Sequence, residues 1–247
     1  MDGDATHHRR GTMTQYTKPR TRRRTNSSTV DRGTVIDTAV RIADHGDLGT
    51  LTMRRLASEV GIPTMTLYGL FSNKEDLLDA IAEHVLGRFE APDPTGLDRA
   101  GYATALGRAL LAAMVEHPSI AILFGTRTTT TIDASHAFLE RPIDGLVAAG
   151  FTPAQAVRVY GLLINHSLGF AMHHLSRPWG RDDGDADVED LRRRRALQFQ
   201  ALPARRFPRV IEVASDLVCL PSLDQFEWGL SVLVAGLATA DDESARS

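Results

Sequence analysis

The chain has a single cysteine, Cys219, among its 247 residues. One thiol cannot form an internal disulfide, so packing must hold the fold, and the composition suits a reducing compartment. Aromatic residues make up only 6% of the chain, and no segment alternates between apolar and polar residues as a strand does. No apolar run approaches the roughly 18 residues that a membrane-spanning helix needs, so we expect no membrane partner.

Targeting and catalytic motifs are also missing. The first 25 residues contain no apolar core of a secretory signal, so we expect a cytoplasmic protein. There is no G-x-S-x-G, P-loop, G-x-G-x-x-G or H-E-x-x-H motif. The aspartate-rich stretch 182–190 lacks the register of an EF-hand, and the adjacent His173 and His174 would point about 100° apart on a helix. We therefore expect no metal, no cofactor and no enzymatic activity.

The net charge of −3 is unevenly distributed along the chain. Residues 1–74 contain 12 Lys and Arg against 7 Asp and Glu, while residues 75–247 contain 16 against 24. A basic front end on an acidic body indicates an anionic partner, although charge alone also allows a basic tail without one. Residues 1–27 are polar and arginine-rich, which predicts a flexible arm. Its Arg22, Arg23 and Arg24 are suited to entering a DNA minor groove.

From residue 28 onward, apolar residues recur at helical spacing between glycines and prolines. Thr52 is placed to cap a short second helix, and Pro63 suits the start of a third. Ser72 and Glu75 have the spacing of a capping box, which predicts a fourth helix from Asn73 to Glu90. Further helices are predicted at 97–116, 118–124, 132–149, 153–175 and from 222 onward. The sequence therefore predicts an all-α protein.

Two of these helices, near 153–175 and 222–239, are apolar around most of their circumference. Such a helix must be covered on both sides. One side can face the core of its own chain and the other a second copy, which predicts a dimer interface. Deep burial of both helices within one chain is the alternative.

The third helix is unusually short and lies in the stretch TMTLYGLFSNKEDLL, residues 64–78. Leu67 and Phe71 can seat it on the preceding helix, while Thr64, Thr66 and Tyr68 point hydroxyl groups outward. A short helix with this outer face fits insertion into a DNA major groove, where threonine methyl and hydroxyl groups can touch bases and tyrosine can reach phosphate.

The neighbouring helix starts supply groups that can hold the DNA backbone. Lys74 and the free N–H groups of the fourth helix lie at its positive end, where a phosphate would bind. Thr52 and Arg54 lie at the start of the second helix and can bind the DNA backbone on the opposite side of the groove. A small helical subdomain with ordinary caps is the alternative that spacing alone leaves open.

The stretch TVIDTAVRIADHGDLGTLTMRRLASEVGIPTMTLYGLFSNKEDLLDAI resembles the DNA-binding domain of the TetR family of bacterial repressors. The family pattern is matched over about 50 residues by Gly49, Leu51, Thr52, Leu56, Ala57, Gly61, Leu67, Tyr68, Phe71, Lys74, Leu77 and Leu78. The pair after Tyr68, Gly69 and Leu70, departs from that pattern, so we expect Thr64, Met65 and Thr66 to read the bases. The resemblance implies a helix-turn-helix domain at 28–74, a connector helix at 73–90 and a ligand-binding and dimerisation domain at 91–247.

The C-terminal part more weakly resembles the tetracycline-repressor branch of the family, through FGTRTTT, GFTPAQAVRVYGLLINHSLGF and the segment from Phe207 to Ala238. In that repressor a histidine before GTR binds drug-chelated magnesium. Leu123 or Phe124 takes its place here, and neither can ligate a metal. We therefore expect a small organic ligand held mainly by apolar contacts. By position in the family fold, its candidate contacts are Phe89, Met114, Phe124, Arg127, His166, Phe170, His173 and Trp179.

The resemblance implies a homodimeric transcriptional repressor that binds a palindromic operator and is released by its ligand. Two other hypotheses stay open. One is a protein of this fold that sequesters a small molecule without sequence-specific DNA binding, supported by Gly69 and Leu70. The other is an all-α enzyme using His166 or His173 as a base, for which the chain offers no nucleophile or cofactor motif.

Overall fold

A computed structural model describes residues 31–45, 48–126, 132–177 and 186–244. All regular structure in these ranges is helical, which confirms the predicted all-α class. From Asp31 onward the chain forms one compact unit. The twelve helices described are α1 (Arg32–Asp44), α2 (Met53–Val60), α3 (Thr64–Leu70), α4 (Lys74–Gly87), α5 (Arg99–Glu116), α6 (Pro118–Thr126), α7 (Ile132–Ala148), α8 (Pro153–Ser176), α9 (Ala186–Gln200), α10 (Pro208–Glu212), α11 (Ala214–Leu217) and α12 (Leu223–Ser244).

Helices α1, α2 and α3 form a small packed group at the start of this unit. The side chain of Thr52 accepts a hydrogen bond from the Arg55 backbone N–H, so Thr52 is the predicted cap of α2. Gly61 ends α2 at φ 76°, a left-handed conformation that glycine adopts without steric strain. Pro63 is the N-cap of α3 and the chain turns at once into the third helix.

The predicted capping box at Ser72 and Glu75 is wrong by one residue. Asn73 is the N-cap of α4, and its side-chain oxygen accepts from the Asp76 backbone N–H at 2.9 Å. The Asp76 carboxylate in turn accepts from the Ser72 backbone N–H at 2.8 Å. Asparagine is at least as good an N-cap as serine, so the cap lies one position further along the chain. The Asp76 carboxylate bonds the amide of Ser72, the residue before the cap, so the two bonds do not form a capping box.

Helix α5 lies at the centre of the C-terminal part, where it packs against α6, α7, α8 and α12. Helix α4 contacts α1 on one side and α7 on the other, so it connects the first three helices to the rest of the unit. Thr152 and Gln155 form a complete capping box at the start of α8, with Pro153 in its first turn, as the sequence predicts for Thr152 and Pro153.

Sequence spacing did not predict α10 and α11, which are only five and four residues long. Helices this short present too few turns to show a periodic apolar face. Both helices pack against α9, and this tertiary contact is not visible in the local sequence.

No single helix of the described ranges is both long and apolar enough to cross a bilayer. One pair of helices, Phe138–Ala148 and Pro153–Ser176, reaches the required length and apolar composition only when the two are taken together, and the pair is bent by 119°. Within the same ranges, no three His, Cys, Asp or Glu side chains gather as metal ligands would.

Candidate DNA interface and ligand cavity

Neighbouring residues of α3 have opposite environments. Leu67 of α3 and Phe71, which directly follows α3, are completely buried against the first two helices. Met65 is 80% exposed, Tyr68 is 46% exposed, and Thr66 is exposed beside them. The thioether of Met65 and the methyl group of Thr66 are therefore exposed to water on the surface of α3. Together they form an apolar, deformable face that suits base edges and thymine methyl groups. Thr64 is half-buried at the start of the helix.

The first turn of α2 provides a second part of this candidate interface. Thr52 and Arg54 are exposed, as predicted for backbone contacts. Thr52 and Arg54 line a shallow depression together with Arg55 and Ser58. The last two residues were not predicted as contacts. Helical spacing could have indicated Arg55 and Ser58, because positions 52, 55 and 58 share one face of a helix.

Lys74 has a role in the fold that its sequence position did not reveal. Its Nζ donates to the backbone carbonyl of Leu48 at 3.2 Å and fastens the turn before α2 to the start of α4. The ammonium group therefore stabilises the three-helix group as well as adding positive charge near the α4 N-terminus. A distant carbonyl partner such as this one leaves no trace in local sequence.

Arg32 is a further basic group that sequence reasoning missed. Its guanidinium lies 4.9 Å from the ring centroid of Phe71, at the junction between α3 and α4. A cation held over an aromatic face keeps a defined position. Only the tertiary contact between α1 and this junction reveals it.

A cavity of about 510 Å³ lies between α4, α5 and α7. Phe89 and Met114, both predicted ligand contacts, line it together with Phe138. The rings of Phe89 and Phe138 meet edge to face, with centroids 4.9 Å apart and planes at 62°. Ala109 and Ala113 form a flat wall on α5. Polar side chains also line the cavity: Arg88, Glu90, Glu116 and His117.

The remaining predicted ligand contacts do not all reach this cavity. His166, Phe170 and His173 instead line a separate depression between α8 and α12, beside Trp228. These three residues lie on the side of α8 that meets α12, so the structure does not bring them together with Phe89 and Met114. Their contact with a ligand stays a prediction. Arg127, Trp179 and the arm residues Arg22, Arg23 and Arg24 lie outside the described residues, as does the side chain of Phe124.

His166 is held by its neighbours. Its Nε2 donates to the carbonyl of Phe226 at 3.1 Å, and its ring stacks on that of Phe226 with centroids 4.8 Å apart. A Cβ at Gly229 would come within 2.6 Å of the imidazole, so the histidine fills a close-packed junction of α8 and α12. These contacts give His166 a structural role at that junction.

A short exposed helix on a three-helix group, joined by α4 to a helical domain with a cavity, defines a helix-turn-helix transcription regulator with a ligand-binding domain. A family model described as "Bacterial regulatory proteins, tetR family" matches residues 35–81, and one described as "Tetracyclin repressor-like, C-terminal domain" matches residues 94–240. The chain belongs to the TetR family. The resemblance to the family and to its tetracycline-repressor branch is thereby confirmed.

Relatives and solved structures agree with this family. The chain is 29% identical over 213 residues to the HTH-type transcriptional repressor DrrR1 of Streptomyces coeruleorubidus, covering 85% of this chain and 77% of DrrR1. It is 29% identical over 215 residues to the class A tetracycline repressor of Escherichia coli, covering 83% and 89%. The structure of the Streptomyces coelicolor TetR family protein ActR in complex with actinorhodin is similar at a TM-score of 0.71 and 26% identity, covering 86% of this chain and 97% of ActR. These relatives are regulators rather than enzymes.

Proposed function

We propose that this protein is a homodimeric transcriptional repressor that binds a palindromic operator and is released by a small organic ligand. The observation that carries the proposal is the outer face of α3, where Met65, Thr66 and Tyr68 are exposed while Leu67 and Phe71 anchor the helix. This arrangement supports Thr64, Met65 and Thr66 as contacts to base edges.

The surrounding groups would position the protein on the DNA backbone. Tyr68, Thr52 and Arg54 are exposed and would contact phosphates on either side of a groove. The α4 N-terminus, with Lys74, adds a helix dipole and a positive charge. To these we add Arg32, because its contact with Phe71 holds a guanidinium at the α3–α4 junction. Arg22, Arg23 and Arg24 would enter the adjacent minor groove.

The dimer would form through α8 and α12. Exposed apolar side chains lie on these two helices in the single chain: Val157, Leu162, Trp228 and Val232. Trp228 alone is 69% exposed, which is costly for so large an apolar side chain unless a partner covers it. In such a dimer two copies of α3 about 34–36 Å apart would enter successive major grooves.

The ligand would occupy the cavity between α4, α5 and α7. Its lining is mainly aromatic and aliphatic, which favours an organic molecule with a flat apolar body. The binding of actinorhodin by ActR supports the same type of ligand here. Leu123, which is buried, and Phe124 have no donor atom for magnesium, so a tetracycline–magnesium complex is not the proposed ligand. The ligand would act by binding the DNA-incompetent arrangement of the dimer more tightly, with a coupling of about 1–3 kcal/mol.

Alanine substitution on α3 tests the proposal once an operator has been selected. Met65→Ala and Tyr68→Ala should each weaken operator binding, by about 1–3 kcal/mol where a base contact is lost. Val147→Ala, at an exposed apolar position on α7, is the matched control and should bind like the unmodified protein. Full operator affinity in both α3 variants would refute the assigned interface.

The second candidate is a protein that sequesters a small molecule and has no sequence-specific DNA binding. Gly69 favours it, because this exposed position of α3 carries no side chain and faces open space. Ligand binding in the cavity together with equal affinity for all DNA sequences would support this candidate over the repressor.

A further inference from the structure

The last residue of α1, Asp44, connects the three-helix group to the wall of the ligand cavity. Its Oδ1 accepts hydrogen bonds from the Ser119 hydroxyl at 2.6 Å and from the Ser119 backbone N–H at 3.1 Å. Its Oδ2 accepts from His117 Nδ1 at 2.9 Å. Both carboxylate oxygens are therefore used, one by the end of α5 and the other by the first turn of α6.

This contact is protected from water. The side chain of Asp44 is only 11% exposed and that of His117 is 26% exposed. Ser119 is completely buried. A carboxylate at a helix N-terminus gains from the helix dipole, and charge-assisted hydrogen bonds away from water are stronger than surface ones. The contact is thus strong enough to hold α1 in one position relative to α5 and α6.

His117 also lines the cavity. His117 follows α5 directly, and its backbone N–H still donates to the Ala113 carbonyl at 3.0 Å. Ala109, Ala113 and His117 are spaced four residues apart and all line the same cavity. A molecule that fills the space beside Ala113 therefore presses on the ring that holds Asp44.

We propose that Asp44 is the positioning residue through which occupancy of the cavity reaches the DNA-binding helices. This inference rests on the proposed function for its consequence at DNA, but the contact itself exists in the free protein. Displacement of the His117 ring breaks its bond to Oδ2 and loosens the Ser119 bonds to Oδ1. Helix α1 is then no longer fixed to the cavity wall, and the orientation that both α3 helices need on one operator is lost.

A second carboxylate of α1 offers a matched comparison. Asp37 accepts from His84 Nε2 at 2.7 Å and from Arg88 at 3.4 Å. This pair is more open to water, since the side chains of Asp37 and Arg88 are 55% and 64% exposed. Exposed pairs contribute little to holding two elements together. The burial of Asp44, and not its charge alone, distinguishes the two sites.

The test fills the cavity by mutation, so it needs no identified ligand. Ala113→Trp places an indole in the cavity one helical turn from His117, whereas Val115→Trp places the same indole at an exposed position of α5 that does not line the cavity. Each is made in the full-length protein, alone and with Asp44→Ala or Asp37→Ala. Circular dichroism checks folding, and Ala113→Leu replaces the tryptophan variant if that variant does not fold.

The first readout is affinity for the selected operator. Ala113→Trp and Asp44→Ala should each weaken binding at least tenfold, and the double variant should be within twofold of either, because both release the same contact. Val115→Trp should change affinity less than threefold. In the Asp37→Ala background Ala113→Trp should keep its full effect. Multiplicative effects of Ala113→Trp and Asp44→Ala would overturn the proposal.

The second readout is hydrogen exchange of the Ser119 amide in the free protein, which does not depend on DNA. Ala113→Trp should speed this exchange at least tenfold and Val115→Trp should not. An unchanged rate in Ala113→Trp would refute the Asp44 contact as the route even if operator binding falls. Faster exchange in a protein that selects no DNA motif would instead preserve this inference and refute the proposed repressor.

Discussion

At the residue scale, single side chains combine roles that their sequence positions do not reveal. Lys74 and Thr52 were predicted as DNA contacts, and both also have bonds within the protein, to the Leu48 carbonyl and the Arg55 amide. Variants at these two positions will therefore change stability as well as any DNA contact. Met65 and Tyr68 are cleaner probes of the interface, because their exposed side chains are not part of the core.

Close packing at Gly145 provides a residue-scale prediction. A Cβ at this buried glycine of α7 would overlap the hydroxyl of Tyr102, which is itself completely buried. Gly145→Ala should lower the free energy of unfolding by about 1–3 kcal/mol through this overlap. Urea unfolding measures the change. Gly87→Ala, in open space at the end of α4, is the control and should be neutral or stabilising. Equal stability of the two variants would contradict the packing described.

The Tyr102 hydroxyl leads to a second prediction. It is buried, burial raises its pKa, and it has no hydrogen-bond partner among the described residues. Removing an unsatisfied buried hydroxyl should not cost stability, so Tyr102→Phe should leave the free energy of unfolding equal or raise it by up to about 1 kcal/mol. A clear loss in thermal or urea unfolding would show that the hydroxyl does have a partner.

At the element scale, the helices with long periodic faces were predictable and the shortest were not. The sequence predicts α5 and α8 within a few residues of Arg99–Glu116 and Pro153–Ser176, since apolar spacing and the Thr152 cap agree. Helices α10 and α11 were not predicted. The predicted N-cap of α4 was one residue too early, because Ser72 and Asn73 are both good caps. The lining of the cavity between α4, α5 and α7 was only partly predictable. Phe89 and Met114 were named as candidates, but Phe138 joins them through packing between helices that no local pattern encodes.

The contact between α5 and α12 has a pH dependence with a defined sign. Arg108 donates to both carboxylate oxygens of Glu227, and these hydrogen bonds lower the pKa of Glu227 from its ordinary value of 4.5. A lowered folded-state pKa gives stability that is present above 4.5 and is lost as the pH falls through the folded value. Because the pair is exposed and screened by water, its contribution to stability is small.

The corresponding measurement is urea unfolding of Glu227→Gln against the unmodified protein from pH 7 downward. The variant should be slightly less stable at pH 7, and the difference should shrink once the pH is below 4.5. Glu140→Gln, at an exposed position of α7, corrects for the change in net charge. A difference that grows on acidification would contradict the assigned sign.

At the scale of the whole molecule, the apolar surface of α8 and α12 predicts association. Trp228→Glu places a charge where a second copy would cover the indole, so it should convert the dimer to a monomer in analytical ultracentrifugation. Leu97→Glu, at an exposed apolar position before α5, should leave the dimer intact. A Trp228→Glu protein that stays dimeric would place the interface elsewhere.

The proposed repressor requires that two α3 helices, held by one dimer, read one palindrome. Selection of DNA from a random double-stranded pool by the full-length protein, at two salt concentrations, tests this most directly. We expect a palindromic motif with half-sites about one helical turn apart and an affinity that falls steeply as salt rises, because phosphate contacts release counterions. Salt-sensitive binding without any enriched motif would contradict it and leave basic charge alone to explain the contact with DNA.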